Sequence, residues 1–260
     1  MSLTMQLLFF VLLPVAFRLP PGSQAGEIIG GREAQPHSRP YMAYLSLWRG
    51  HKSSFCGGFL VSENFVLTAA HCNGDIITVR LGTHNLRNWE YNEQRIPVCR
   101  SIPHPQYNKV TLNNDIMLLQ LGHKARLNGY VRRIPLPLPH QRMRPGTVCS
   151  VAGWGRTSAH NQLSSDTLRE TDVVVMPDAA CPRDPDGIYR NYNASTMMCV
   201  GDPEKGKSSF RGDSGGPLVC QGRAQGIVSW GSEDGTPPAV YTRVSTYIPW
   251  IRATMRRLQP

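Results

Sequence analysis

The chain is expected to be all-β, on two observations. Its 260 residues include 24 glycines and 21 prolines spread along the whole length, which favours many short strands over long helices. Apolar runs of strand length, bounded by turn residues, recur from one end to the other, without internal repeats or low-complexity stretches. A chain of this length suits one large all-β domain or two smaller ones.

From the N-terminus, Gln6 to Phe17 is an apolar run too short to span a bilayer comfortably, and Ser23-Gln24-Ala25 supplies a small-x-small cleavage signal. Residues 1–25 therefore read as a targeting leader. No second long apolar run follows, so no stable membrane insertion is expected of the rest. Strands are then expected at Tyr44-Leu45-Ser46-Leu47, Phe59-Leu60-Val61, Phe65-Val66-Leu67 and Ile76-Ile77-Thr78-Val79. Further strands follow at Ile116 to Leu121, Val148 to Ala152 and Ile227-Val228-Ser229-Trp230. The terminal segment Ile251 to Leu258 reads as a helix, which puts Arg252 and Arg256 one turn apart on one face.

Chemistry enters at Phe210-Arg211-Gly212-Asp213-Ser214-Gly215-Gly216-Pro217-Leu218, where a serine sits in a glycine-rich turn just before an apolar run. Glycine opens backbone angles closed to other residues, so N–H groups can converge beside Ser214 Oγ, as an oxyanion hole requires. A serine hydroxyl is a poor nucleophile at neutral pH and needs a base, itself oriented by a third group. Thr68-Ala69-Ala70-His71-Cys72 follows an apolar run and offers the base, His71. Asp115 directly precedes a continuous apolar strand and should be substantially buried, which is rare for a carboxylate without a partner. No His-Glu-x-x-His or Cys-x-x-Cys pattern points to a metal, and no cofactor is expected.

The order His71, Asp115, Ser214 is one of three unrelated triad orders. With Ile28-Ile29-Gly30-Gly31, Pro36-His37-Ser38-Arg39-Pro40-Tyr41-Met42-Ala43, Cys56-Gly57-Gly58-Phe59, Leu67 to Cys72, Asn114 to Leu119, Val151-Ala152-Gly153-Trp154-Gly155 and Gly212 to Pro217, the chain resembles the chymotrypsin-like serine peptidases over residues 28–258. The Pro36 to Ala43 segment narrows the resemblance to the granule group: cathepsin G, mast-cell chymases and granzymes.

The resemblance implies two six-stranded antiparallel barrels packed around an active-site cleft, with His71 and Asp115 from the first and Ser214 from the second. It implies a peptidase domain over residues 28–260, preceded by a two-residue activation peptide, Gly26-Glu27, that a dipeptidyl peptidase removes. The freed amine of Ile28 would then pair with Asp213. That is physically reasonable, because a cation on an apolar residue can be buried only against an anion. Seven cysteines leave about a hundred ways to form three bridges. The family pattern selects Cys56 with Cys72, Cys149 with Cys220 and Cys181 with Cys199. Cys99 is left over, either as a buried inert thiol or in an intermolecular bridge.

By the same alignment Ser208 lies at the base of the substrate pocket, followed by Ser209 and Phe210, with Ser229-Trp230-Gly231 as one wall and Ala239 near the back. Ser208 is no partner for a lysine or arginine, and Ala239 no partner for an aspartate. A neutral pocket fits a large apolar or aromatic side chain: Phe, Tyr, Leu or Met. Arg211 at the mouth would favour acidic residues nearby in the substrate. The Gly212 and Ser214 N–H groups would hold the oxyanion, and Ser229 and Trp230 would also pair an extended substrate strand.

The chain carries a net charge of +10, which loss of residues 1–27 leaves unchanged because it removes one arginine, Arg18, and one glutamate, Glu27. Such a surface attracts polyanions; Arg132-Arg133, Arg142, Arg144 and the terminal helix are candidate contacts. The resemblance makes sulfated proteoglycan or heparin the expected partner rather than nucleic acid, and implies serpin-type inhibitors beside protein or peptide substrates. It also implies secretion and storage in immune-cell granules, for immune defence or extracellular proteolysis. A contrasting reading is a catalytically silent, cationic antimicrobial or polyanion-binding protein on the same scaffold, against which the retained His71, Asp115, Ser214 and Gly212 argue. Asn193-Ala194-Ser195 is a glycosylation sequon.

Overall fold

The computed structural model describes residues 31–156, 163–181, 187–201, 208–209 and 211–258. The expected leader, Gly26-Glu27, Ile28 and Phe210 lie outside the described residues.

Six strands close the first barrel: β2 (Met42–Arg49), β3 (Lys52–Ser62), β4 (Phe65–Thr68), β5 (Ile76–Leu81), β6 (Gln94–Pro103) and β7 (Met117–Leu121), in the order β2-β3-β4-β7-β6-β5. All neighbours are antiparallel. A second ring is formed by β8 (Val148–Gly153), β9 (Arg169–Val175), β10 (Met197–Gly201), β13 (Ala239–Arg243), β12 (Arg223–Trp230) and β11 (Pro217–Cys220), closed by β11 on β8. The short β1 (Arg32–Glu33) adds to the edge of β9. The fold is thus two closed six-stranded antiparallel barrels and a C-terminal helix, as expected.

The barrels close because their strands carry apolar side chains inward. Leu45, Leu47, Phe59, Leu60, Phe65, Leu67, Leu81 and Leu118 form the first core, and Val151, Val173, Met198, Leu218 and Tyr241 the second. The helix α1 (Ile248–Leu258) begins three residues before the expected start, since Pro249 is tolerated in a first turn, where its missing N–H has no intrahelical acceptor. Its Ile248 and Ile251 pack into the first core, and Gln120 Nε2 donates to Leu258 O at 3.2 Å. The chain end of the second barrel is thereby tied to the first.

Disulfides join Cys56 to Cys72, Cys149 to Cys220 and Cys181 to Cys199. Cys99 corrects an expectation: the thiol is exposed, not buried. It is the extra residue of a bulge, between Val98 paired with Leu121 and Arg100 paired with Gln120, and such a residue drops out of the ladder. Among the described residues no helix is long and apolar enough to cross a membrane.

Candidate active site

Strand register brings the site together. In the antiparallel pair β4–β7, Thr68 faces Met117, so the residues just after β4 and just before β7 emerge at the same end. Those residues are His71 and Asp115. In the second barrel Pro217 on β11 faces Ile227 on β12, which sets the turn holding Ser214 beside Ser229. Gly215 N donates to Val228 O at 2.8 Å and Val228 N to Gly216 O at 2.9 Å, so the pairing continues into the turn.

Asp115 is fully buried and heavily hydrogen-bonded. Its Oδ1 accepts the His71 backbone N–H at 2.9 Å, and its Oδ2 lies 2.7 Å from His71 Nδ1. The second barrel supplies the rest: Ser229 Oγ donates to Asp115 Oδ2 at 2.6 Å, and Thr242 Oγ1 to the Asp115 carbonyl at 2.8 Å. Burial, reinforced by the Asp115 carboxylate, pushes the nearby Tyr107 phenol up to about 12. With Nδ1 committed, the imidazole has only Nε2 left for other chemistry. Cys72 of the Cys56–Cys72 bridge follows His71 and places Sγ 3.7 Å from Ser214 O. No hydrogen bond joins His71 Nε2 to Ser214 Oγ in this arrangement; such contacts commonly tighten only when substrate binds.

The turn around Ser214 has the geometry of an anion cradle. Gly57 N donates to Ser214 O at 2.8 Å, Gly216 N to Asp213 O at 2.9 Å and Arg156 N to Arg211 O at 2.7 Å. Because a trans peptide points its C=O and N–H in opposite directions, the last bond turns the Gly212 N–H away from Arg156. Neither the Gly212 nor the Ser214 N–H donates to any acceptor among the described residues. Gly215 must be glycine: its φ is +83°, and a Cβ would run into Thr68 Oγ1 and Gly57 O. Asp213 points away from the cradle; it is fully buried, and its Oδ1 accepts the Gly155 N–H at 2.9 Å.

Beside Ser214 lies a cavity of about 280 Å³ lined by Ser208, Ser209, Arg211, Ser229, Trp230, Gly231 and Ala239, among others. These are the described residues expected there. Its floor is polar but uncharged: Ser208 Oγ donates to Ser209 O at 3.0 Å, and Ser209 Oγ accepts from Tyr241 OH at 2.8 Å. Burial holds the Tyr241 phenol well above its usual range, so it remains a neutral donor although its bond to Ser209 opposes the shift. Tyr189 braces the Trp230 wall from behind, its ring 5.8 Å from the indole and its OH on Pro238 O at 2.7 Å. At the mouth Arg211 lies 3.8 Å from Glu233. Glu233, Tyr241, Thr242 and the bond from Ser229 to Asp115 were not expected, since no local signal marks contacts between residues 32 to 127 positions apart, as Tyr241 to Ser209 and Thr242 to Asp115 are, or across a loop, as Glu233 to Arg211 is. His71 also clusters with Cys56 and Cys72, but their disulfide leaves no thiolate for a metal.

The family model described as Trypsin matches residues 28–251. The chain is 53% identical to cathepsin G of Homo sapiens over 246 residues, covering 95% of this chain and 94% of that protein. It is 52% identical to granzyme B of Homo sapiens over 247 residues, 95% of this chain and 98% of that one. Mast cell protease 3 of Ovis aries is 53% identical over 239 residues, 92% and 93% of the two chains. A solved structure described as "Structure of GrC" superposes with a TM-score of 0.83 at 47% identity, covering 88% of this chain and all of that one. The chain belongs to the trypsin family of chymotrypsin-like serine endopeptidases. Within it, the chain is similar to the granule peptidases.

Proposed function

We propose that this serine endopeptidase cleaves after Phe, Tyr, Leu or Met, with Ser214 as nucleophile, His71 as general base and acid, and Asp115 as the group that orients His71. Ser214 Oγ attacks the peptide carbonyl carbon while His71 Nε2 takes its proton, and Asp115 stabilises the imidazolium that results. The N–H groups of Gly212 and Ser214 receive the developing oxyanion. His71 then gives the proton to the leaving amine, and water, activated by the same base, releases the acid from Ser214. The observation that carries this reading is the fully buried Asp115 bonded to His71 Nδ1, opposite a serine turn with two undirected N–H groups.

The pocket residues Ser208, Ser209, Phe210, Arg211, Ser229, Trp230, Gly231 and Ala239 set the preference for a large neutral side chain, because no described charge lies at the floor. The protein is made as a zymogen with a leader at 1–25 and Gly26-Glu27 as activation peptide. Removal of the dipeptide lets the Ile28 amine neutralise the buried Asp213. Similarity to granule peptidases supports secretion or granule storage, a role in immune defence or extracellular proteolysis, serpin-type inhibitors and glycosylation at Asn193. The charge of +10 supports binding to sulfated proteoglycan or heparin.

The test is to label Ile28-terminated protein with a serine-reactive phosphonate, use Ser214→Ala as control, and profile cleavage on a peptide library. Labelling lost in Ser214→Ala, with cleavage after aromatic and large apolar residues, is expected. Absent labelling would mark a silent cationic scaffold, and cleavage chiefly after Asp, Lys or Arg would overturn the pocket assignment.

A further inference from the structure

A second cavity, of about 180 Å³, opens in the second barrel and shares no residue with the one beside Ser214. Its walls include Met143, Met176, Met198 and Cys199, and two arginines line it, Arg142 and Arg243. Arg243 ends β13, and its side chain is 7% exposed, a rare position for a cation. A guanidinium carries five N–H donors, yet among the described residues that of Arg243 makes one hydrogen bond, from Nη2 to Met197 O at 2.8 Å; Nε is buried without an acceptor.

Charge is equally short. Asp178 is the carboxylate that faces both arginines, at 3.7 Å from Arg243 Nη2 and 3.9 Å from Arg142 Nη1, beyond hydrogen-bond length in each case. Its Oδ1 is already engaged by Tyr192 OH. Burial first, and then the neighbouring Arg142 guanidinium, lower the basicity of Arg243, which marks the same deficit of negative charge. Two guanidinium groups against one carboxylate leave the described lining with one excess positive charge.

We propose that this cavity is an anion site that receives a sulfate group of a sulfated glycan, with Arg243 as its buried anchor and Arg142 as its outer arm. A sulfate ester brings one negative charge and three acceptor oxygens on a single stalk, which matches one excess charge and several unused donors. A phosphate monoester carries about 1.5 to 2 charges and over-neutralises the site. A phosphodiester has substituents on both sides and does not enter end-on. The cavity is smaller than the roughly 300 Å³ at which pockets begin to hold whole small molecules, so it suits a terminal group rather than a sugar ring. The inference rests on the sulfated-polymer partner proposed above and gives it a position; it is independent of the peptide-cleavage reading.

Thermal unfolding in sodium sulfate against sodium chloride at matched ionic strength, together with calorimetric titration of a heparin-derived tetrasaccharide, tests it on wild type, Arg142→Ala and Arg243→Gln. Saturable protection by sulfate is expected for wild type, and tetrasaccharide affinity should fall by about tenfold or more in Arg142→Ala, the loss of one charge-assisted contact. Arg142 is exposed, so that variant decides the matter even if Arg243→Gln does not fold. Equal binding by wild type and Arg142→Ala overturns the site. Protection by inorganic sulfate without tetrasaccharide binding overturns the glycan assignment. If tetrasaccharide binding survives Arg142→Ala but is lost in Arg252→Ala/Arg256→Ala, the polymer partner stands and the pocket falls.

Discussion

Ser229 has two positions at once: it lines the cavity beside Ser214, and its hydroxyl, on a residue only 6% exposed, donates to Asp115 Oδ2. The sequence placed it in the pocket wall and as a partner for an extended substrate strand but did not link it to Asp115, because that partner is 114 positions away and no local pattern joins the two. Removing the hydroxyl leaves a lone pair of a buried carboxylate without its donor, at a cost of about 1–3 kcal/mol. We predict that Ser229→Ala lowers kcat by about tenfold or more with KM nearly unchanged, and shifts the pH profile of kcat, since Asp115 acts through His71. Steady-state kinetics across pH on a Phe-containing peptide checks this; a change confined to KM would mean that Ser229 acts only as wall. Asp115→Asn reverses the tautomer His71 needs, and the expected loss in kcat is on the order of 10⁴-fold.

Between β5 and β6 an element-scale device holds the connecting loop. Glu93 has a fully buried side chain that accepts from Arg80 Nε at 3.0 Å and Nη2 at 2.7 Å, and from Arg95 Nε at 2.5 Å. Burial alone would raise its pKa, but the bonds from Arg80 and Arg95 outweigh it and hold the carboxyl below the usual range. A depressed carboxylate contributes stability that is present above its unfolded pKa, about 4.3, and is lost as pH falls through the lower folded value. The stability gap between wild type and Glu93→Gln should therefore be flat above about pH 5 and shrink below about pH 4, in urea denaturation at each pH. A gap that widens on acidification would contradict it. At this scale the first-barrel strands other than β6, together with β8 and β12, were legible as apolar runs. In contrast, β6 carries Pro97 and Pro103 among polar residues, and β9 opens on Arg169-Glu170-Thr171-Asp172. Their strand character comes from barrel neighbours on both sides, not from their own composition.

Across the whole molecule the two barrels meet at Asp115, which takes donors from both, and at Gly57, whose N–H reaches Ser214 O. The net charge of +10 acts at the same scale and predicts that heparin affinity falls steeply between about 0.05 and 0.2 M salt, the signature of counterion release. Salt-independent retention on a heparin column would refute an electrostatic contact. Residue types and their order along the chain led to the all-β class, through composition and strand-length apolar runs, and to Ser214, His71 and Asp115 as the candidate nucleophile, base and orienting acid, through short local motifs; the neutral pocket was implied by the family resemblance. The strand order and register within each barrel, the donors that Ser229 and Thr242 bring to Asp115, the exposure of Cys99 and the under-neutralised Arg243 came only from the folded chain. Those features depend on which distant strands become neighbours and how deeply each group is buried, quantities that pairing register and packing set and no single segment contains.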